Sequence, residues 1–316
     1  MKKVLVFSFS MFLYCQLNAQ VMTTATTSQV VAGLKNTTYV VLTEKESEDK
    51  VNIEYQKITN DTIIETENNA AKKEVDDSEF NKELRSAVKS FWKVTKYEFI
   101  NEQEFEKKRL DPTCSFIFQS KIKEDMDGEK VEFNYLIFAV GSAKAKKIEK
   151  MPWIAAIPLS YNSIDAEYYN YKLAGLVKFL QTHADYAANN SDLTKESIEK
   201  YYSKKNKEIK DYILYVIPED LTTKVYTEEQ INNKLYSGEV KIVDQATIQE
   251  AIKKSDPNAV FFHKVGPERT KKDTGLCRKY IITAKGGELL YYLEEEITKS
   301  KPEGLLESDF KQFNKK

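Results

Sequence analysis

Two stretches of this chain carry the same run of apolar and polar positions. In the first, Tyr97 and Phe99 alternate with charged residues ahead of Asn101-Glu102-Gln103-Glu104, and Asp111-Pro112 leads into Cys114-Ser115-Phe116-Ile117-Phe118. In the second, Val240 and Ile242 alternate with charged residues ahead of Asp244-Gln245-Ala246-Thr247, and Asp256-Pro257 leads into Ala259-Val260-Phe261-Phe262-His263. A period of two marks a half-buried strand. Asn101 and Asp244 are good helix N-caps, and Glu104 completes a capping-box pattern with Asn101. Each short helix stops at Asp-Pro, because the residue before proline avoids helical dihedrals. The offset is 143 residues over the first block (Tyr97 to Val240) and 145 over the second (Asp111 to Asp256), a two-residue indel near the end of the helix.

The flanking segments match in kind. Strands are expected over 38–42 and 212–217, and helices over 80–92 and 228–236. Phe80, Leu84, Val88 and Phe91 are spaced for one helix face, as are Ile231 and Leu235 in the second half. Hydrophobic strands follow over 114–119 and 259–264, then over 131–140 and 278–284. Each half reads β-α-β-α-β-β. The fold class expected is α/β (α+β), two tandem β-α-β-α-β-β units with mixed sheets, joined by a helical segment. The first unit takes 38–160, with a polar insertion over 44–79 that reads as a hairpin or as a flexible loop. A helical connector takes 161–210, and the second unit 211–316. Within the connector, 166–187 reads as an amphipathic helix with Tyr169, Leu173, Leu176, Val177 and Leu180 on one face. A charged helix follows over 195–210. Residues 153–159 resemble an added strand, and 289–293 with a short helix from Ser308 echo a strand-helix pair.

The opening residues suggest an address. Lys2 and Lys3 precede an apolar run over 4–15, and Gln16-Leu17-Asn18-Ala19 offers a cleavage point. This is signal-peptide anatomy over 1–19, too short for a stable membrane span. The mature chain then starts at Gln20 with an extension over 20–37, in the periplasm or outside the cell. Bulky Tyr14 ahead of Cys15 argues against a lipid anchor, and no second apolar run is long enough to span a bilayer.

Charge narrows the partners. The chain has 48 basic and 49 acidic residues, and loss of Lys2 and Lys3 leaves a net charge of about −3. Phosphate binding needs a basic excess, so nucleic acid is not expected as a partner.

Chemistry is sparse. Beyond the leader there are two histidines, His183 and His263, and two cysteines, Cys114 and Cys277. None of these has the spacing of a zinc site, and no serine sits in a nucleophile motif. Asp125-Met126-Asp127-Gly128 lacks the ligand ladder of a calcium loop and reads as a turn. No catalytic, cofactor or metal residue is assigned. In an oxidising compartment Cys114 and Cys277 are a candidate disulfide between the halves, or two separate buried thiols. Tyr168, Tyr171, Tyr291 and Tyr292, with Tyr201-Tyr202 nearby in kind, are candidates for a carbohydrate or peptide groove, or simply for core and rim.

The element order over about 38–142 and 211–293 resembles the amino-terminal domain of TolB and related units in envelope-assembly proteins of the CsgG kind. The Lys-, Asn- and Ile-rich composition and the Asn-Ala-Gln end of the leader resemble exported proteins of Gram-negative bacteria. The resemblance implies a periplasmic binding or assembly module and nothing about catalysis. The expected function is therefore an exported, non-catalytic module with an envelope protein or glycan as partner. A periplasmic small-molecule or glycan binder is the alternative, and an envelope hydrolase the third reading.

Overall fold

The computed structural model describes residues 23–43, 78–126, 129–222, 227–267 and 275–314. The expected signal peptide and nearly all of the expected insertion lie outside these residues. In the first half, α1 (Thr27–Gly33) leads to β1 (Thr37–Leu42), α2 (Glu79–Phe91), β2 (Tyr97–Asn101), α3 (Glu102–Lys108), β3 (Cys114–Met126), β4 (Glu129–Val140) and β5 (Trp153–Tyr161). Two further helices, α4 (Leu173–Ala188) and α5 (Lys195–Ser203), precede the second half. That half holds β6 (Ile213–Val216), α6 (Glu228–Gln230) with a π-helical turn Ile231–Leu235, β7 (Glu239–Ile242), α7 (Gln245–Lys254), β8 (Ala259–Val265), β9 (Leu276–Thr283), β10 (Leu289–Glu296) and α8 (Glu307–Phe313).

The two five-stranded mixed sheets have one topology, β2-β1-β3-β4-β5 and β7-β6-β8-β9-β10. The first three strands of each sheet run parallel, and the last two return antiparallel. Register agrees too. Thr38 pairs Tyr97 and Ser115 in one sheet, as Leu214 pairs Val240 and Val260 in the other. Local devices recur at matching positions. Asn101 and Asp244 each accept a bond from the backbone N–H three residues on, and Glu104 closes the capping box. Asp111 and Asp256 each accept from the backbone N–H two residues on, so the turn after the proline is shaped alike in both halves.

The structure extends the sequence pattern in three places. α1 falls inside the expected extension, although Thr26 and Gln29 form a full capping box ahead of Val30. The strands expected over 153–159 and 289–293 are β5 and β10, and each joins its sheet as a fifth strand. The segment expected as one helix over 166–187 begins as two 3-10 turns, and regular helix starts only at Leu173.

α4 is also more deeply placed than one apolar face predicts. Eleven of its sixteen residues are buried, Lys178 and His183 among them. It packs on α2 and β5 of the first half and on α7 and Phe261 of the second, so both halves share one continuous core around it. Trp92 meets Phe138 edge-on at 5.0 Å beside that helix, while Phe105 of α3 packs on Phe116 and Phe118 on the opposite face of the first sheet. A second, smaller core lies on the far face of the second sheet, where Val260, Phe262 and Ile281 meet Ile231, Phe310 and Phe313.

Gly175 sets the approach of α4 to the second sheet. A methyl group there would lie 2.4 Å from Cζ of Phe261 and 2.7 Å from Cε1. Gly175→Val is expected to destabilise the fold by about 1–3 kcal/mol through overpacking, read as a lower urea midpoint with far-ultraviolet dichroism retained.

Candidate functional site

A surface cleft of about 340 Å³ lies between α5 and β10, lined by Ile198, Glu199, Tyr202, Ser203, Tyr292, Leu293 and Glu294. Its walls form for local reasons. Thr194 caps α5, which turns Ile198 and Tyr202 inward four residues apart. The β10 strand is held by β9 on one side only, and its outer edge borders the cleft. The cleft therefore mixes apolar and aromatic walls with two carboxylates and a hydroxyl.

Its floor is rigidly tied to the rest of the molecule. The Tyr202 hydroxyl lies 2.7 Å from Nδ1 of His183, and Nε2 of His183 lies 2.6 Å from Oγ1 of Thr23. Thr23 donates its hydroxyl hydrogen to the Ile154 carbonyl at 3.0 Å. Oγ1 must then accept from Nε2–H, so Nδ1 accepts from Tyr202. Burial holds the His183 pKa down at about 3. It is a neutral hydrogen-bonding strut.

The other wall rests on a buried charge cluster between the halves. Arg278 of β9 donates to both carboxylate oxygens of Glu124 of β3, at 2.5 and 3.2 Å, and its Nε donates to Glu294 at 2.7 Å. Tyr135 donates to Glu124 at 2.6 Å, and the guanidinium lies 4.4 Å above the Phe133 ring. Arg278 and Glu124 are both buried. Burial disfavours the charged guanidinium, but Tyr135 and the Glu124 carboxylate outweigh that and hold its pKa above the ordinary value.

The remaining chemistry is scattered. His263 is buried on β8 and donates Nε2–H to the Pro158 carbonyl at 2.8 Å; burial first, and then the charge of Lys172, lower its pKa to about 3. Among the described residues no three His, Cys, Asp or Glu side chains are grouped to hold a metal, and no helix is long and apolar enough to cross a membrane.

The structure brings neither candidate grouping of side chains together. Cys114 and Cys277 are both buried and unbridged. Cys277 neighbours Arg278, which grips Glu124, whereas Cys114 lies ten residues up the same strand from Glu124. At about 3.3 Å per residue that is roughly 33 Å, several times the Cα separation a disulfide allows. Burial raises the pKa of both thiols, that of Cys277 to about 12. The four tyrosines do not share a groove. Tyr168 and Tyr171 border a small crevice beside Asp220 and Lys264, Tyr291 is buried and donates to Asp309, and Tyr292 is the one of the four that lines the cleft, as Tyr202 does. Ile198, Glu199, Ser203, Leu293 and Glu294 carried no signal in the sequence, because α5 and β10 lie about ninety residues apart.

Comparison with family models, with curated proteins and with solved structures finds no match to this chain.

Two expectations about stability follow. Arg278→Met leaves Glu124 buried without its cation and is expected to cost about 3–5 kcal/mol. Pairing it with Glu124→Leu should recover most of that loss, measured as a double-mutant cycle in urea. Unfolded histidines take up protons below about pH 6.5, whereas His183 and His263 resist protonation until about pH 3. Their contribution is complete above pH 6.5 and is lost as pH falls toward 3, by up to about 1.4 kcal/mol per pH unit for each histidine. His183→Gln should flatten the dependence of unfolding free energy on pH between 6 and 4.

Proposed function

We propose that this chain is an exported, non-catalytic binding or assembly module of the cell envelope, built from two copies of one α/β unit and engaging its partner at the cleft between α5 and β10. The observation that carries the reading is the cleft itself, where buried Ile198 and Tyr202 form the base and half-buried Tyr292 and Leu293 an apolar wall. Concave apolar surface with a few polar groups is the usual form of a binding site. The matching strand order and register support an origin in one duplicated unit. The leader-like 1–19 and the resemblance of each unit to the TolB amino-terminal domain support an envelope role. The side chains best suited to catalysis, two histidines and two thiols, are enclosed in the core and so better suited to packing than to meeting a substrate.

A glycan is the second reading, favoured by Tyr202, Tyr292, the Ser203 hydroxyl and the Glu199 carboxylate lining one cleft.

Ser203 is exposed at the end of α5, so Ser203→Trp fills the cleft without entering the core. Cross-linking the native protein in the envelope should recover a stoichiometric partner, and Ser203→Trp should lose it at an unchanged melting temperature. Equal recovery by the variant, or no partner from the wild type, rejects the reading. Retention on a glycan array that Ser203→Trp abolishes moves the assignment to the second reading.

A further inference from the structure

The two sheets share a topology but finish their last strand differently, and that difference says what the cleft accepts. In the first sheet the outer edge of β5 is covered by an extended piece of the same chain. The backbone N–H groups of Thr24 and Ala25 both donate to the Trp153 carbonyl at 2.9 Å. Trp153 N–H donates to the Thr24 hydroxyl at 2.8 Å, and Thr23 reaches the Ile154 carbonyl. In the second sheet β10 occupies the corresponding position. Among the described residues no backbone bond joins the outer edge of β10 to another segment over Tyr292, Leu293 and Glu294. The cleft opens along that edge.

Charge narrows the occupant. Of the residues lining the cleft, Glu199 and Glu294 are acidic and none is basic. Arg278 and the Tyr292 hydroxyl both engage Oε2 of Glu294, which leaves Oε1 without a bond among the described residues; that side chain is 20% exposed. Among the described residues Glu199 pairs with Lys195, at 3.8 Å on the open face of α5. An aliphatic stem ending in a cation fits apolar walls formed by Ile198, Leu293 and the Tyr202 ring.

Resting on the cleft reading above, we propose that β10 receives an extended peptide segment of a partner protein by strand addition, and that a lysine or arginine of that segment enters between Glu199 and Glu294. Main-chain bonds to the open edge supply affinity, and the carboxylates supply selection for a basic side chain. The partner's segment would occupy on β10 the place that residues 23–25 hold on β5.

The test is selection of a random heptapeptide phage library on the purified protein, with enriched sequences resynthesised for fluorescence anisotropy. The expected result is a lysine or arginine among alternating apolar residues. Ser203→Trp should abolish binding, and Glu199→Lys should weaken it by roughly tenfold. A proline next to the basic residue should also abolish it, and bound peptide should slow hydrogen exchange over 291–295. Melting temperatures of both variants, each altered at the rim of the cleft, report that the fold is intact. Enrichment of sequences without a basic residue, indifference to Glu199→Lys, or unprotected β10 amides overturns the inference. If Ser203→Trp still abolishes binding in those cases, the cleft reading survives alone. A library that yields no binder, beside an envelope partner still lost in Ser203→Trp, likewise rejects the basic peptide and keeps the cleft. Peptide binding that Ser203→Trp leaves unchanged overturns both.

Discussion

The helix Leu173–Ala188 is the constraint on which the rest of the molecule depends. It is buried on nearly every side, so neither sheet can complete its core without it. In the first half it lies against α2, on the face that carries Phe138. In the second it lies against α7, on the face that carries Phe261. The helices α2 and α7 hold non-corresponding places in the two units, and a single helix therefore covers opposite faces of two similar sheets. The halves are bound by this shared packing, and each loses the cover of one face if the helix moves.

Polar groups on that helix make its position specific where apolar packing alone would leave it free to slide. Lys178 donates to the carbonyls of Ile252 and Ala284 at 2.6 and 2.8 Å and to the Ser255 hydroxyl. Its ammonium thus sits at the carboxyl end of α7, where a cation meets the helix dipole, although burial and then the charge of Lys93 lower its pKa to about 8. One turn on, His183 bridges Tyr202 and Thr23. Each bond is costly to break in a low-dielectric interior, so a shift of one helical turn would leave several buried groups unpaired. The Arg278–Glu124 pair plays the same part at the other end of the boundary, and Tyr161 adds a pair of bonds there with the backbone of Leu276.

The cleft is a by-product of this arrangement. Thr23 is drawn to β5 and to His183, which covers the edge of the first sheet and fixes the Tyr202 ring. The matching edge of the second sheet has α5 beside it but no strand upon it. Rigid walls are thus set against an open strand edge, and rigidity is what allows a small site to select its ligand without a large ordering cost.

Much of the local structure was legible in the chain. Periods of two and of three to four, Asn101 and Asp244 as caps, and Asp-Pro at the ends of α3 and α7 locate most of the strands and helices and their repetition, because these depend on interactions within a few residues. The capping box of Thr26 and Gln29 was equally local and marks α1. The tertiary structure alone decided which faces α4 would bury, that Cys114 and Cys277 would lie far apart, and that Tyr202 and Tyr292 would line one cleft while Tyr168, Tyr171 and Tyr291 would not. Those outcomes depend on how two sheets dock across one helix. Burial against partners distant in sequence leaves no periodic trace in any one segment, so the elements were written locally and the site was made only by their docking.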